Sequence, residues 1–220
     1  MKNDSGQKLC VRNVPIFNHL TDGEMNEVFS KVTSTGYGKN EHLYMAGDPE
    51  QSLYVLHRGK IRIYRLTDDG KEQLIRVLQP GEFTGELSLF GTDRPHESYA
   101  EIMEKSQICE ITKDDIYGLM KEYPDIGIKI IEKFSERLEA AEQQTTNISL
   151  LSSEERLLEY IRGHVDQDDY VQLEMTKRDL SSYLSMQPET LTRLFKKLEA
   201  RGDVEKLDNK TYRVRNYSIL

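Results

Sequence analysis

The chain has 220 residues, 37% of them hydrophobic and 31% charged, with a formal net charge of −8. That is enough apolar material to bury a core in one large domain or two modest ones, and no run of about 18 apolar residues exists to span a bilayer. The opening MKNDSGQKLC has no apolar signal region behind its lysines, so a cytoplasmic protein with no membrane partner is expected. Two cysteines, Cys10 and Cys109, are too few for a secreted disulfide framework or a four-cysteine metal site.

In chain order, the first element is VPIFNHLTDGEMNEVFSKV, where Thr21 can cap a short helix whose apolar face uses Met25, Val28, Phe29 and Val32. From Gly36 to Ile111 the period falls to two, in runs such as SLYVLHRG, KIRIYRLTDDG, EQLIRVLQPG, EFTGELSLFG and SQICEIT. Gly47, Gly59, Gly70 and Gly81 recur at intervals of 12, 11 and 11. Glycine at regular corners supplies the positive φ of tight turns, so a compact antiparallel β-roll is expected and not a series of βαβ units.

From about Lys113 the period becomes helical again. KDDIYGLMKEYPDIG reads as a short helix ending near Pro124, and a long helix follows from roughly Ile126 to Leu151. Along it Gly127, Ile131, Phe134, Leu138, Ala141, Thr145, Ile148 and Ser152 fall at alternating spacings of 4 and 3, a heptad register. The seam from Ile131 to Ile148 is expected to pair with a second copy; the alternative is packing on the chain's own roll.

SSEER then opens a helix carrying Leu157, Leu158, Ile161 and Val165, and DDYVQLEMT is short and extended. Thr176 can cap KRDLSSYLS, a turn falls at Ser185 to Gln187, and Pro188 suits the first position of the next helix, ETLTRLFKKLEARG. Leu180, Leu184, Leu191, Leu194 and Leu198 form a shared apolar seam, which leaves Glu189, Thr192, Arg193 and Lys196 to face outward. This is helix-turn-helix geometry, and GDVEKLDNKTYRVRN adds a two-stranded wing. Thr176 to Arg215 holds ten basic and six acidic side chains, a balance of +4 that leaves −12 for the chain before it. A basic module on an acidic body attracts phosphate at one face and repels it elsewhere.

In this order, the glycine-cornered roll with PGEFTGELSLF, the long helix and MTKRDLSSYLSMQPETLTRLFKKLEARG resemble the CRP/FNR transcription regulators over about residues 10 to 215. The expected fold class is α+β: a cyclic-nucleotide-binding-like antiparallel β-roll, a long dimerisation helix and a C-terminal winged helix-turn-helix. The corresponding divisions are 1–124, 125–151 and 152–220. The resemblance implies a homodimer on palindromic double-stranded DNA, with RNA polymerase as a further partner. Glu189 and Arg193 match the family's base-reading pair; Arg can donate two bonds to guanine, and a carboxylate can accept from cytosine. Thr192 and Pro188 complete the reading face, while Thr176, Lys177, Arg178, Gln187 and Lys196 are expected at phosphates. A TGA-centred half-site of the TTGA type follows.

The sensor half departs from the family pattern. Gly85, Glu86 and Leu87 match its nucleotide turn, yet Glu97 and Ser98 stand where nucleotide-binding members carry Arg-Ser, and Ala141 and Glu142 replace the adenine-reading Thr-Ser pair. An acid at the phosphate place repels the phosphate, so cyclic AMP is not expected. Two cysteines cannot supply four iron–sulfur ligands. Cys10 and Cys109 instead resemble the pair in the cysteine-pair regulators of lactic-acid bacteria, which implies a dithiol–disulfide switch; two incidental cysteines are the alternative. An uncharged or cationic effector around Gly85, Glu86, Glu97 and Ser98, or constitutive activity, also remains open. No cofactor or metal is called for. His19, His42, His57, His96 and His164 are scattered without ligand spacing, and no nucleophile motif or phosphate loop suggests an enzyme.

Overall fold

The computed structural model describes residues 14–91 and 94–216. Its contacts divide the chain into two units. One comprises the residues up to Asp69 with Ile75–Arg137, and the other comprises Gly70–Leu74 with the chain from Leu138 onward. No helix among the described residues is long and apolar enough to cross a membrane.

The first unit begins with turns that bury Val14, Ile16 and Phe17. Helix α1 (Asp22–Ser30) follows, opened by a reciprocal box in which the Thr21 side chain accepts from the Glu24 amide and Glu24 accepts from the Thr21 amide at 2.7 Å. Strands β1 (Thr33–Tyr37), β2 (His42–Tyr44), β3 (Ser52–Leu66), β4 (Glu72–Leu78), β5 (Phe83–Thr84) and β6 (Tyr99–Thr112) form one sheet, with a short helix α2 (Glu86–Phe90) before β6. The path is β1-β6-β3-β4, with β2 added to β6 and β5 to β3. β6 runs antiparallel to β1, β2 and β3, and β5 runs antiparallel to β3. Both faces of β3 are covered near its start: Leu53 and Val55 join the core that holds Phe17, Val28 and Ile116, while Tyr54 and Leu56 face the roll interior with Ile61 and Ile102. That double burial explains why LYVL is an unbroken hydrophobic run, where a one-sided strand would alternate.

Two expectations about this region need correction. Gly59 is not a corner between strands, because β3 runs unbroken from Ser52 to Leu66. It sits at φ +104 where the β3–β6 register shifts between Arg58 and Lys60, and a Cβ there would collide with the Ser106 side chain. The glycine therefore makes a bulge that bends one long strand. Likewise EFTGELSLFG is not one strand: Gly85 at φ +90 ends β5 and precedes α2, and its missing Cβ admits the Ser52 carbonyl.

Helix α3 (Lys113–Glu122) is capped by Thr112, and α4 runs from Pro124 to Leu150. Proline opens α4 because the first helical position needs no amide donor.

The second unit adds α5 (Ser153–His164), β7 (Tyr170–Gln172), α6 (Lys177–Tyr183), α7 (Pro188–Ala200), β8 (Val204–Lys206) and β9 (Thr211–Val214). Ser152 and Glu155 make a second capping box at α5. The wing has three strands, not two: β9 lies between β7 and β8. Segment DDYVQ thus belongs to the wing sheet, paired through Val171 and Tyr212, a partnership between residues far apart in sequence.

Candidate nucleic-acid interface and sensor sites

Helix α6 is capped by Thr176, whose hydroxyl accepts from the Asp179 amide at 3.1 Å and donates to Asp179 Oδ2 at 2.6 Å. Ser185, at φ +51, reverses the chain, and its amide donates to the Ser182 carbonyl. Pro188 then starts α7. Leu180, Leu184, Leu191, Leu194 and Leu198 are all buried, so the apolar seam read from the sequence is the interior of this unit. The opposite face of α7 carries Pro188, Glu189, Thr192, Arg193 and Lys196, each exposed. Glu189, Arg193 and Lys196 show no ion pair or hydrogen bond among the described residues, whereas the Thr192 hydroxyl donates to its own helix at Pro188 O, 2.9 Å away. Burial of one face and emptiness of the other follow from the 3.6-residue period.

The remaining phosphate candidates divide. Thr176, Arg178 and Gln187 are exposed at the starts of α6 and α7. Lys177 is half-buried, its ammonium 4.9 Å from the Phe195 ring centroid and 5.3 Å from that of Tyr212, so aromatic faces hold the cation that the sequence assigned to phosphate. Lys197 and Arg201 turn to the other side, where Glu154 accepts from them at 2.5 and 3.0 Å. The Lys197 bond, ahead of the Arg201 bond, holds Glu154 below the ordinary carboxylate range.

In the roll, Glu86 is 7% exposed and its Oε1 lies 3.1 Å from Arg76 of β4 and 3.1 Å from Arg137 of α4. Both guanidinium groups also donate to the Phe83 carbonyl, Arg137 at 2.8 Å and Arg76 at 3.4 Å. Burial first, then the like charge of Arg76, pull the Arg137 pKa below the ordinary arginine value, and Glu86 opposes them. The effector candidates Gly85, Glu86, Glu97 and Ser98 thus serve different ends. Glu86 is neutralised internally and Gly85 shapes the turn. Glu97 is exposed and paired with Arg65 at 2.7 Å, and Ser98 beside it is half-buried. A cleft of about 170 Å³ lies instead along Pro15, Gly81, Phe83, Lys133 and Arg137.

The residues that the sequence suggested for a dimer seam vary in exposure. Ile131 (65%), Leu138 (61%) and Ile148 (39%) are open, as are Ala141 and Thr145. Phe134 is half-buried against the roll core, its ring 6.0 Å from that of Phe90, so packing on the same chain claims part of the seam. Cys109 is 1% exposed in the core that also holds Val14, Ile16 and Phe17, with its sulfur 3.9 Å from Ser34 Oγ. It is not a free thiol. Cys10 lies outside the described residues.

The sequence matches the cyclic nucleotide-binding domain over residues 35–123 and the Crp-like helix-turn-helix domain over 155–220. It is 30% identical over 176 residues to the fumarate nitrate reduction regulatory protein of Klebsiella oxytoca, covering 74% of this chain and 68% of that protein. The chain belongs to the CRP/FNR family of transcription regulators. It is therefore a DNA-binding regulator and not an enzyme. A CRP/FNR-family protein of Lacticaseibacillus casei, the probable transcriptional regulator flp, is 29% identical over 200 residues, 90% of each chain. The c-di-GMP-responsive regulator CLP of Xanthomonas campestris shares the fold, with a TM-score of 0.77 at 20% identity over 89% of this chain and all of that one.

Several side chains that organise this CRP/FNR-family chain carried no functional assignment from the sequence: Arg76, Arg137, Glu154 and Arg156. Each acts on residues at least 10 positions away or on backbone carbonyls of another helix. Local periodicity does not encode such partners.

Proposed function

We propose that this regulator works as a homodimer, reads an inverted TGA-containing repeat with Glu189 and Arg193, and is controlled by a Cys10–Cys109 dithiol/disulfide pair. The observation that carries the reading is the outer face of α7, where an acid and a base four residues apart stand exposed and unpaired among the described residues. Charges left open on a helix whose other face is fully packed suit base edges in a major groove. Pro188 and Thr192 border that pair, and Thr176, Arg178, Gln187 and Lys196 flank it for phosphates. Two recognition helices one helical turn apart require a two-fold axis, and the open apolar side chains Ile131, Leu138 and Ile148 suit a helix–helix seam supplying it. The family resemblance adds RNA polymerase as a partner on DNA.

For the switch, the support is the placement of Val14 in the same buried cluster as Cys109. Four residues of extended chain span up to about 14 Å, which brings Cys10 within range of that cluster, and Cys109 is not a free thiol. The bridge would close a loop of about 100 residues and pin the N-terminal arm to the roll.

The test uses a duplex with inverted TTGA half-sites one helical turn apart, titrated with oxidised protein, reduced protein and Cys10→Ser. The expected result is a redox-dependent affinity of about 5- to 150-fold that the serine variant abolishes, with Leu138→Asp monomeric by sedimentation and unable to hold the palindrome. Equal affinity for this and a shuffled duplex would refute the reading of DNA; equal affinity in both redox states would refute the switch alone. In the latter case the cleft beside Arg137 is the place to seek an effector. A cationic one is disfavoured at Glu86, which two guanidinium groups already occupy.

A further inference from the structure

Arg156 braces the end of the first helix of the helix-turn-helix. Arg156 stands near the start of α5, where a cation opposes the helix dipole, and it has no carboxylate partner among the described residues. Its guanidinium donates instead to three main-chain carbonyls: Nε to Leu184 O at 2.9 Å, Nη2 to Ser185 O at 3.3 Å and Nη1 to Leu151 O at 2.7 Å, with Nη2 also 3.3 Å from Ser153 Oγ. Leu184 is the C-cap of α6, Ser185 is the turn residue after it, and Leu151 follows the last residue of α4. Carbonyls at and just past a helix C-terminus lack an intrahelical donor, and the dipole there favours a cation. One planar group therefore ties two helix C-termini together. A second tie runs beside it, since Gln144 of α4 donates to Tyr183 O at 3.0 Å. The carbonyls of three consecutive residues, Tyr183, Leu184 and Ser185, are all held from outside α6.

The next residues are the turn and the start of α7. Ser185 is in the left-handed region and Glu189 follows four residues later. The direction in which α7 leaves the turn depends on the peptide planes that Arg156 grips. We propose that Arg156 is a positioning residue for sequence reading: it fixes the Leu184 and Ser185 carbonyls to the Leu151 carbonyl and so sets where α7 presents Glu189 and Arg193 relative to the end of α4. This rests on the reading of bases by α7. A planar fork suits the task because its donors diverge in fixed directions. A lysine keeps the charge but places its donors at one point.

The test compares Arg156→Met, Arg156→Lys and Arg193→Ala on a duplex selected by the unmutated protein from a randomised library, and on a shuffled version, at several salt concentrations. In Arg156→Met the selected-over-shuffled affinity ratio should fall on the order of tenfold. Affinity for the shuffled duplex and its salt slope should stay unchanged, because the phosphate contacts remain. Arg156→Lys should recover part of the ratio. If Arg156→Met is not folded at the assay temperature, Arg156→Lys decides: a lowered ratio supports the role and a wild-type ratio overturns it. A parallel loss on both duplexes indicates a merely structural role and also overturns it. An unchanged ratio in folded Arg156→Met beside a collapsed ratio in Arg193→Ala overturns positioning and leaves base reading intact. Unchanged ratios in both remove the reading by α7 and this inference with it.

Discussion

The roll and the helix-turn-helix treat an acid near cations in opposite ways. In the roll, Glu86 is buried and claimed by Arg76 and Arg137; on α7, Glu189 and Arg193 are exposed and make no ion pair among the described residues. Desolvation explains the contrast. A carboxylate inside the roll costs several kcal/mol unless cations compensate it, whereas charges in water carry no such penalty and can wait for a partner. The inward charge is compensated by the protein's own cations, while the outward pair is left open to an external partner.

The largest test of that contrast is Glu86→Gln. It removes the acid between two partly buried guanidinium groups and should destabilise the first unit by about 3 kcal/mol, read from urea or thermal denaturation, with little effect on duplex selectivity in the protein that remains folded. A loss below about 0.5 kcal/mol would mean that Arg76 and Arg137 are solvated well enough to do without it. The mirror experiment is Arg193→Ala. Folding stability should stay within about 0.5 kcal/mol of the original, while preference at the guanine of each half-site falls by about 1–3 kcal/mol. Lys196→Ala, by comparison, should weaken all duplexes alike and reduce the salt slope by about 1. If Arg193→Ala instead destabilised the fold as much as Glu86→Gln does, the division between inner and outer charge would fail.

A smaller effect should come from His96, which is buried, stacked on Tyr44 at 3.8 Å and 3.3 Å from Ser88 Oγ. Burial lowers its pKa below the usual 6.5. The unfolded chain then binds its proton at higher pH than the folded one, so stability rises with pH across that window and is lost as pH falls from about 6.5 toward the folded value. Replacing His96 with Gln should flatten this part of the pH–stability curve, measured as denaturation midpoints between neutral and mildly acidic buffer. A curve of the same slope in both proteins would assign the acid loss to other groups. The smallest effect belongs to the turn. Ser185 occupies a left-handed conformation without being glycine, so Ser185→Gly should leave stability within a few tenths of a kcal/mol of the original: relief of the φ strain is offset by greater freedom of the unfolded chain. A loss above about 1 kcal/mol would show that the Ser185 side chain does more than occupy the turn.

The two regions also differ in what their sequences disclosed. Amphipathic spacing, a capping threonine and Pro188 located α6 and α7 and their buried leucines, because a short helix pair is specified by residues three or four apart and by its ends. The same logic found Thr21, Ser152 and the long α4. In the roll, alternation and glycine spacing gave the class of fold but misread Gly59, since a corner and a bulge use the same positive φ. They differ only in whether a partner strand continues alongside, and that partner, β6, lies more than 40 residues away.

The sequence by itself determined the order of β-roll, long helix and helix-turn-helix and the outward set on α7. Only the tertiary structure decided which charges were already spent. It drew Lys177 over Phe195 and Tyr212, turned Glu97 out to Arg65, closed Arg76 and Arg137 on Glu86, and fastened Arg156 to the carbonyls that end two helices. The reason is range. Helix and strand periods are encoded by neighbours within a few residues, whereas a buried charge takes whichever partner the chain topology brings within about 3 Å.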